Sequence, residues 1–362
     1  MIPNYVYWSV RPEIFSAGPF ALGPTALWVI AAILAALLAL DAVNWRRERA
    51  RALADRKPAP PYPWANLAVI GCLTLWILHF VPQARLQPIE FGPVTVRWYG
   101  LMFLVGFTAG YFIERRIYRH EGAPEQWLTS LLIWVVAGTI VGARLGHCFF
   151  YEWDYYSTHP GRIIAFWEGG LASHGGTIGV IICIFAYSRF VTRRPALWAF
   201  DRIVVPIALG GALIRLGNLF NSEIFGHATT LPWGFMYPLS REWQQVYAPS
   251  GAACHPTQLY EAGAYLLLFA LLMWMYWRRN AESRPGLLLG TFFIGCFTPR
   301  ILIEFVKNNQ EAFEDSMLLN MGQLLSVPFV LAGIILVWRA MTRPPQPLTF
   351  PDRFPDQENK KK

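Results

Sequence analysis

The chain has 362 residues, of which 54% are hydrophobic and only 15% charged, and its mean hydropathy is +0.32. This composition excludes an ordinary soluble protein and is typical of a polytopic membrane protein. The net charge of +8 does not indicate nucleic-acid binding. The basic residues form short clusters between apolar runs, where they favour contact with anionic membrane lipid.

Apolar runs of roughly 17 to 25 residues, the length that crosses a bilayer as a helix, recur along the whole chain. They lie near residues 22–43, 64–81, 98–114, 127–149, 171–190, 200–220, 259–277, 286–306 and 319–338. The sequence therefore predicts an all-α polytopic membrane protein with about nine transmembrane helices. The N-terminal segment lacks a basic start followed by an apolar core, so we expect no cleavable signal peptide.

Basic residues fill every second connection between these runs. The basic connections contain Arg46, Arg47, Arg49, Arg51, Arg56 and Lys57; Arg115, Arg116 and Arg119; Arg189, Arg193 and Arg194; and Arg278, Arg279 and Arg284. Because positive charge marks cytoplasmic loops, the alternation predicts an outside N-terminus and a cytoplasmic C-terminus. Residues 339–362, which are rich in proline, are predicted to form a disordered cytoplasmic tail.

The longest outer connection, residues 221–258, carries four large aromatic residues, Trp233, Tyr237, Trp243 and Tyr247. Two interpretations of these aromatics are open. They form a belt at the membrane–water interface, as such residues usually do, or they contact a substrate.

The five cysteines are Cys72, Cys148, Cys183, Cys254 and Cys296. They are scattered along the chain, most of them within apolar runs, and their spacing is not that of metal ligands. We therefore predict no disulfide and no metal site.

The sixth apolar run continues into a polar segment and carries Arg215 and Asn218 within its apolar end. On a helix these residues are three positions apart, so they share a face and can reach one ligand. An arginine inside a spanning segment costs about 3 kcal/mol on insertion scales, which favours a functional role. The alternative is an arginine near the helix end whose side chain extends to the membrane surface.

A pattern of polar residues and glycines spans residues 215–226, namely Arg215-x-Gly217-Asn218-x-x-Asn221-x-Glu223-x-x-Gly226. It closely resembles the signature of the prolipoprotein diacylglyceryl transferases, bacterial enzymes that attach the first lipid to lipoproteins. The chain departs from the commonest form of that signature at Ile214, where the family usually has glycine. We expect a packing change at that position.

Further stretches resemble the same family. They are Arg97-Trp98-Tyr99-Gly100-Leu101-Met102, Ser173-His174-Gly175-Gly176-Thr177-Ile178-Gly179, His255-Pro256-Thr257-Gln258-Leu259-Tyr260-Glu261, Arg300-Ile301-Leu302-Ile303-Glu304-Phe305 and Met321-Gly322-Gln323-Leu324-Leu325-Ser326. The resemblance covers residues 97–338 and implies a seven-helix catalytic membrane domain with the outer loop 221–258. Residues 1–96 then carry two added transmembrane helices and a basic linker, although Pro12-Glu13-Ile14-Phe15 resembles the segment that usually lies directly before Arg97.

The predicted topology places several polar side chains at one side of the membrane. They are Tyr99, Arg144, His174, Arg215 and Arg300. Because the predicted helices offer few carboxylates to neutralise the arginines, the pattern predicts an anionic ligand such as a phospholipid phosphate. Three structural alternatives stay open, which are an ion pair of Arg300 with Glu304, a capping or surface role for Arg144, and close helix packing at Gly175 and Gly179.

The resemblance implies a reaction as well as a fold. A diacylglyceryl group passes from phosphatidylglycerol to the thiol of the lipobox cysteine in a prolipoprotein, and glycerol 1-phosphate leaves. The implied partners are membrane lipid and prolipoprotein signal peptides, without nucleic acid, and no metal or organic cofactor is expected. The implied location is the bacterial cytoplasmic (inner) membrane, with the active site toward the outer side.

The expected residue roles follow from this chemistry. His174 is the candidate base for the thiol, because a free cysteine has a pKa of about 8.5 and little thiolate near neutral pH. Arg215 and Arg300 are expected to grip the phosphate, and Tyr99 is expected to hydrogen-bond the lipid. Supporting contacts are expected from Asn218, Asn221, Glu223, Gly226, Arg144 and Glu304.

Three other functions compete with this one. A secondary transporter for an organic anion would bind it with the arginines, but such transporters usually show two related halves and interrupted helices, and the sequence shows neither. A scaffold gives no reason for several arginines inside the membrane. A different headgroup transferase would require acidic metal ligands, and the predicted helices contain no paired aspartates.

Overall fold

Helices form most of the described chain. The computed structural model describes residues 5–54, 64–86, 89–165, 169–308, 317 and 319–346. In chain order the helices are α1 (Pro24–Ala54), α2 (Trp64–Leu86), α3 (Trp98–Glu121), α4 (Glu125–Phe150), α5 (Trp153–Thr158), α6 (Ser173–Tyr187), α7 (Ala196–Phe220), α8 (Arg241–Val246), α9 (Thr257–Arg279), α10 (Leu287–Glu304) and α11 (Met321–Thr342). Helix α6 continues into a π-helical turn over Ser188–Thr192.

Seven helices in the described part of the chain are long and apolar enough to cross a membrane. They are α1, α4, α6 with its π-helical turn, α7, α9, α10 and α11. This result confirms a polytopic membrane protein. Helices α2 and α3 occupy the second and third predicted runs but do not meet the same criterion. The described apolar part of α2 is Ile70–Pro82, and the second half of α3 carries Glu114, Arg115 and Arg116.

Helix α1 is longer than the sequence pattern predicted. The predicted run ended at residue 43 and placed the arginines from Arg46 to Arg51 in a connection, whereas the helix continues to Ala54. The cause is local, because this stretch is built from alanine, arginine, leucine and one glutamate, which favour helix, and has no glycine or proline. The first four residues of the predicted tail 339–362 belong to α11, which ends at Thr342. Arg56, Lys57 and residues 347–362 lie outside the described residues.

Short strands connect these helices. They are β1 (Val6–Tyr7), β2 (Glu13–Ala17), β3 (Phe20–Leu22), β4 (Ile89–Phe91), β5 (Val94–Arg97), β6 (Ala228–Thr229), β7 (Phe235–Met236) and β8 (Ala253–Cys254). The chain divides into two units, Met1–Pro12 with Trp98–Lys362, and Glu13–Arg97. The boundary between Arg97 and Trp98 falls beside the predicted start of the catalytic domain at residue 97. Residues 1–12, by contrast, belong to the larger unit and not to the unit with the added helices.

The smaller unit is a β-ribbon that leads into a helical hairpin. Strands β2 and β5 pair antiparallel from Glu13 opposite Arg97 to Ala17 opposite Val94, and β3 pairs with β4 directly beyond them. Helices α1 and α2 follow and pack against each other around Leu27, Val81 and their neighbours. The two ends of the segment 13–97 therefore meet.

Glycines allow two helices of the larger unit to pack closely. Gly138, Gly142 and Gly146 of α4 face Gly175 and Gly179 of α6, and a Cβ atom at Gly179 would lie 2.8 Å from the Cα atom of Gly142. Real side chains do not tolerate that distance, so both positions require glycine. The predicted packing role of Gly175 and Gly179 is confirmed.

Helix α7 contacts α3, α9 and α10, and near its start a buried ion pair joins it to α3. The Nε atom of Arg202 donates to both carboxylate oxygens of Glu121, at 2.9 and 3.1 Å, and Nη2 lies 2.9 Å from Oε1. Trp198 Nε1 and the Tyr276 hydroxyl donate to the same carboxylate at 3.0 and 2.8 Å. This cluster joins α3, α7 and α9 with both carboxylate oxygens hydrogen-bonded.

The segment 221–258 folds into a small structure together with the N-terminal strand β1 and the end of α7. Strands β1, β7, β8 and β6 form one sheet in that order. Tyr237 and Trp243 are buried with Phe225, Phe235 and Cys254 beside the end of α7. The prediction that these two aromatics form an interfacial belt or contact a substrate is therefore wrong for both, because the segment uses their area as its own hydrophobic core.

Candidate functional site

The chain makes a strained turn directly after α7. Ser222 and Ile224 have φ angles of 54° and 60°, a left-handed conformation that is unfavourable for a β-branched residue. The first turn of α9 holds this turn in place, since Thr257 Oγ1 donates to the Ile224 carbonyl and Gln258 Nε2 to the Glu223 carbonyl, both at 2.7 Å. Strain of this kind persists where surrounding contacts enforce it, often at functional sites.

The turn carries Glu223 back toward the end of α7. Arg215 Nη1 donates to Asn218 Oδ1 at 3.1 Å, and Asn218 Nδ2 donates to Glu223 Oε1 at 2.7 Å. Asn221 Nδ2 donates to the same oxygen at 3.2 Å. The structure thus confirms that Arg215 and Asn218 share a helix face, and it joins four of the predicted site residues in one hydrogen-bonded chain.

A second set of charged side chains continues from Arg215 across α9 and α10. The Arg215 guanidinium forms an ion pair with the Glu261 carboxylate. Lys307 Nζ lies 3.6 Å from Glu261 Oε1 and 3.0 Å from Glu304 Oε1. Arg300 Nε lies 3.9 Å from Glu304 Oε1, so the predicted ion pair within α10 is present at long range.

The expectation that few carboxylates neutralise the arginines is wrong. Arg215, Arg300 and Lys307 face Glu223, Glu261 and Glu304, so the described cluster contains as many carboxylates as cations. Glu261 belongs to a stretch that resembles the family, but nothing in its local sequence shows that it meets Arg215. Lys307, which follows α10, is only 3% exposed.

Gly226 is required by a close approach of two chain segments. Its backbone forms an isolated bridge with Lys307, and its N–H donates to the His255 carbonyl at 2.9 Å. A Cβ atom there would lie 2.9 Å from Thr257 Cγ2 and 3.0 Å from His255 Cβ. The last residue of the signature therefore holds the site together through its backbone.

Tyr99 lies in the first turn of α3, against the end of α7. A Cβ atom at Gly217 would lie 2.7 Å from Tyr99 Cδ2, so the ring packs directly on this glycine. The Tyr99 side chain is within hydrogen-bonding reach of Asn218 and lies close enough to Glu223 and Arg215 to interact with their charges. The structure therefore brings Tyr99 to the signature residues, as the sequence predicted.

Arg144 has partners of a different kind. Its guanidinium donates to the carbonyls of Arg162, Ile163 and Gly169 at 2.7, 2.9 and 2.5 Å and stacks over the Tyr156 ring at 5.1 Å. These contacts hold the segment between α5 and α6. They favour a structural role over the expected contact to the lipid headgroup.

His174 is exposed in the first turn of α6. The described contacts of the Arg215 cluster do not include it. The cluster and this histidine therefore remain separate parts of the candidate site, and the role of His174 as a base stays a prediction.

Two residues beside Gly226 have altered acid–base properties. Burial, assisted by the nearby His227, lowers the pKa of His255, so this imidazole is neutral near pH 7 and adds no cation to the site. Burial, followed by the charge of Glu242, raises the pKa of Cys254 to about 12. This thiol is therefore protonated at neutral pH and is a poor nucleophile.

The Nε atom of Arg300 is buried and lacks a hydrogen-bond partner among the described residues. Both carboxylate oxygens of Glu261, by contrast, face cations, Arg215 on one side and Lys307 at 3.6 Å on the other. Buried polar atoms are nearly always hydrogen-bonded in native proteins, so the Arg300 donor needs an explanation. An acceptor atom of a polar ligand would supply its partner.

The fold and the cluster define a class of protein, the polytopic helical membrane proteins with a buried site of arginines and carboxylates. A sequence profile described as "Prolipoprotein diacylglyceryl transferase" matches residues 86–339, which is more than half of the chain. This chain therefore belongs to the prolipoprotein diacylglyceryl transferase family. Helix α1 and nearly all of α2 lie outside the matched range.

Individual relatives agree with the family match. The phosphatidylglycerol–prolipoprotein diacylglyceryl transferase of Porphyromonas gingivalis is 53% identical over 253 residues, which cover 68% of this chain and 89% of the relative. The protein of the same name from Chloroherpeton thalassium is 43% identical and covers 69% and 90% of the two chains. The one from Tolumonas auensis is 45% identical and covers 69% and 93%.

Proposed function

We propose that this chain transfers the diacylglyceryl group of phosphatidylglycerol to the lipobox cysteine of prolipoproteins, the first step of bacterial lipoprotein maturation. A carbon–sulfur thioether bond forms, the bond between the glyceryl carbon and the phosphate oxygen breaks, and glycerol 1-phosphate leaves. The observation that carries the proposal is the hydrogen-bonded chain of Arg215, Asn218 and Glu223. Family membership and the names of the relatives support the same reaction.

Arg215 and Arg300 act on the phosphate in this proposal. The departing phosphate ester gains negative charge as the carbon–oxygen bond breaks, and guanidinium groups fixed in advance stabilise that charge. Guanidinium also matches the geometry of phosphate in two-point contacts. Glu261 and Glu304 form ion pairs with Arg215 and Arg300, respectively, and so orient them. Asn218 also orients Arg215, by accepting a hydrogen bond from its guanidinium.

The acceptor thiol needs a base, because a cysteine with a pKa of about 8.5 is mostly protonated near neutral pH. His174 takes the thiol proton in this proposal, since its exposed side chain at the start of α6 is open to an incoming peptide. Tyr99 lies beside Asn218 and hydrogen-bonds the lipid. If His174→Gln turns over at a near-normal rate, the base is Tyr99 or a bound water.

The membrane arrangement is also part of the proposal. The chain spans the bacterial inner membrane with nine helices, α2 and α3 added to the seven apolar ones, with the N-terminus outside and the C-terminus in the cytoplasm. The arginine cluster then lies toward the outer side. Both substrates reside in the bilayer, so the site opens sideways between helices.

Reconstitution tests this function directly. The purified protein is placed in vesicles of phosphatidylglycerol with a synthetic lipobox peptide, and mass spectrometry looks for the diacylglyceryl adduct on cysteine. Arg215→Ala is measured beside Arg119→Ala, which removes an exposed arginine at a surface ion pair. We expect the adduct with wild type and Arg119→Ala and its loss with Arg215→Ala. Folded wild-type protein without adduct would contradict the transferase and lead to uptake assays for organic anions.

A further inference from the structure

Lys307 occupies an unusual place for a lysine. It follows α10 by three residues, and its backbone pairs with Gly226 at the end of the signature. Its side chain is only 4% exposed. Lysine is almost never buried to this degree unless it is paired. The partners of the Lys307 ammonium group therefore indicate what the residue does.

The ammonium group bridges two carboxylates from different helices. Lys307 Nζ lies 3.0 Å from Glu304 Oε1 on α10 and 3.6 Å from Glu261 Oε1 on α9. Each carboxylate in turn pairs with one arginine, Glu261 with Arg215 and Glu304 with Arg300. Lys307 is therefore the common partner through which the two arginine–glutamate pairs are connected.

Glu304 is held tightly on its remaining sides. Asn320 Nδ2 donates to Glu304 Oε2 at 3.2 Å, and a Cβ atom at Gly322 would lie 2.6 Å from Glu304 Oε1. A carboxylate fixed by a lysine, an amide and a glycine has little freedom to move. Its position in turn limits where the paired guanidinium can lie.

The balance of charge between Glu261, Glu304 and their partners also favours a cation at position 307. Two carboxylates buried at close range repel each other, and a cation between them offsets that repulsion. Without the ammonium, Glu261 and Glu304 would move apart. That movement would change the support of Arg215 relative to that of Arg300.

We propose that Lys307 is the positioning residue of the phosphate site, setting Arg215 and Arg300 so that both guanidinium groups grip one phosphate. This inference rests on the proposed function. Lys307 itself does not reach the substrate, because its ammonium faces the two carboxylates on the buried side. The ligand chemistry is that of a phosphodiester headgroup, gripped from two helices at once.

The test compares two substitutions at this position. Lys307→Met removes the charge with little change of length, and Lys307→Arg keeps the charge. Arg119→Met is the matched control, since it removes a cation from an exposed ion pair. Each variant is reconstituted with phosphatidylglycerol and the lipobox peptide, and KM for phosphatidylglycerol and kcat are measured separately.

We expect Lys307→Met to raise KM for phosphatidylglycerol about tenfold, the size of a typical network coupling, and to lower kcat as well, because the arginines also stabilise the charge of the departing phosphate. The rise in KM reports the weaker binding of the headgroup before the bond breaks. Lys307→Arg and Arg119→Met are expected to keep KM near the wild-type value. If Lys307→Met does not fold, Lys307→Gln is measured in the same way and is expected to raise KM.

Two results would overturn the inference. One is an unchanged KM in a folded variant that lacks the charge. The other is a rise in KM for Lys307→Arg as large as for the uncharged variants, because a shape requirement alone would then explain the lysine. Both results presuppose adduct formation by wild type, so failure of the inference is distinct from failure of the proposed function, in which wild type itself forms no adduct.

Discussion

Helix α7 carries two arginines with opposite surroundings. Arg202 and Arg215 lie thirteen residues apart on this helix, which is about 20 Å along its axis. Around Arg202, one carboxylate accepts hydrogen bonds on both oxygens and the guanidinium is 1% exposed. Around Arg215, the side chain is 15% exposed, and its carboxylate partner Glu261 is shared with Lys307.

The difference distinguishes a structural ion pair from the ligand site that we propose at Arg215. A fully buried pair that is hydrogen-bonded on both carboxylate oxygens stabilises one conformation. A cluster whose carboxylates are shared among several cations, and whose arginine is partly exposed, leaves room for a ligand to bind the guanidinium. An arginine inside a membrane segment is therefore not by itself a sign of function, and its partners decide the role.

The largest effect is expected on stability, from Arg202→Gln. The substitution leaves the buried Glu121 carboxylate without its cation, which typically costs about 3 to 5 kcal/mol. Denaturant or thermal unfolding in detergent measures this loss. Transfer activity per folded molecule is expected to stay near the wild-type value. An unfolding free energy equal to that of wild type would show that the pair contributes no net stability.

The next effect is expected from Glu261→Gln in the open cluster. This change removes a counter-charge shared by Arg215 and Lys307 and is expected to lower transfer about thirtyfold, roughly 2 kcal/mol. Its matched control is Glu125→Gln, which alters an exposed ion pair with Arg115. Equal transfer rates for the two variants would argue against a role of Glu261 at the site.

The sequence alone predicted part of the surroundings of Arg215. The three-residue spacing showed that Arg215 and Asn218 share a face, because helix geometry is local. The sequence did not show the contacts of Glu261 and Lys307, since these residues reach the site only through the packing of α9 and α10 against α7. The same limit explains Tyr237 and Trp243, whose burial depends on a small fold that no local pattern encodes.

The helical continuation of α1 through Arg46–Ala54 was predictable, because it follows from residue propensities alone. Positive charge between two apolar runs indicated a connection there instead. The Arg202 cluster could not have been predicted in the same way. Glu121, Arg202 and Tyr276 lie on three different helices and meet only when those helices pack.

A smaller effect is expected from the amides of the signature. Asn221→Ala removes one donor to Glu223 at 3.2 Å and is expected to slow transfer about fivefold, near 1 kcal/mol. Asn218→Ala is expected to slow it more, because Asn218 contacts both Arg215 and Glu223. The two rates, measured in the same vesicles, rank the contacts. The reverse order would contradict the hydrogen-bonded chain described here.

The smallest effect is expected from Arg119→Ala. Its ion pair with Glu125 is exposed and 3.7 Å long, and such pairs contribute less than about 1 kcal/mol. Both the unfolding free energy and the transfer rate are expected to match wild type. A large loss in either would mean that arginines outside the two clusters matter equally.

The central claim is that Arg215 binds the ligand, whereas Arg202 stabilises the fold. Its most direct test measures diacylglyceryl transfer per folded molecule for Arg215→Gln and Arg202→Gln, at a temperature where both variants are folded. The account predicts folded Arg215→Gln with transfer reduced at least about a hundredfold, and Arg202→Gln with a rate near wild type. Near-normal transfer by folded Arg215→Gln would contradict it.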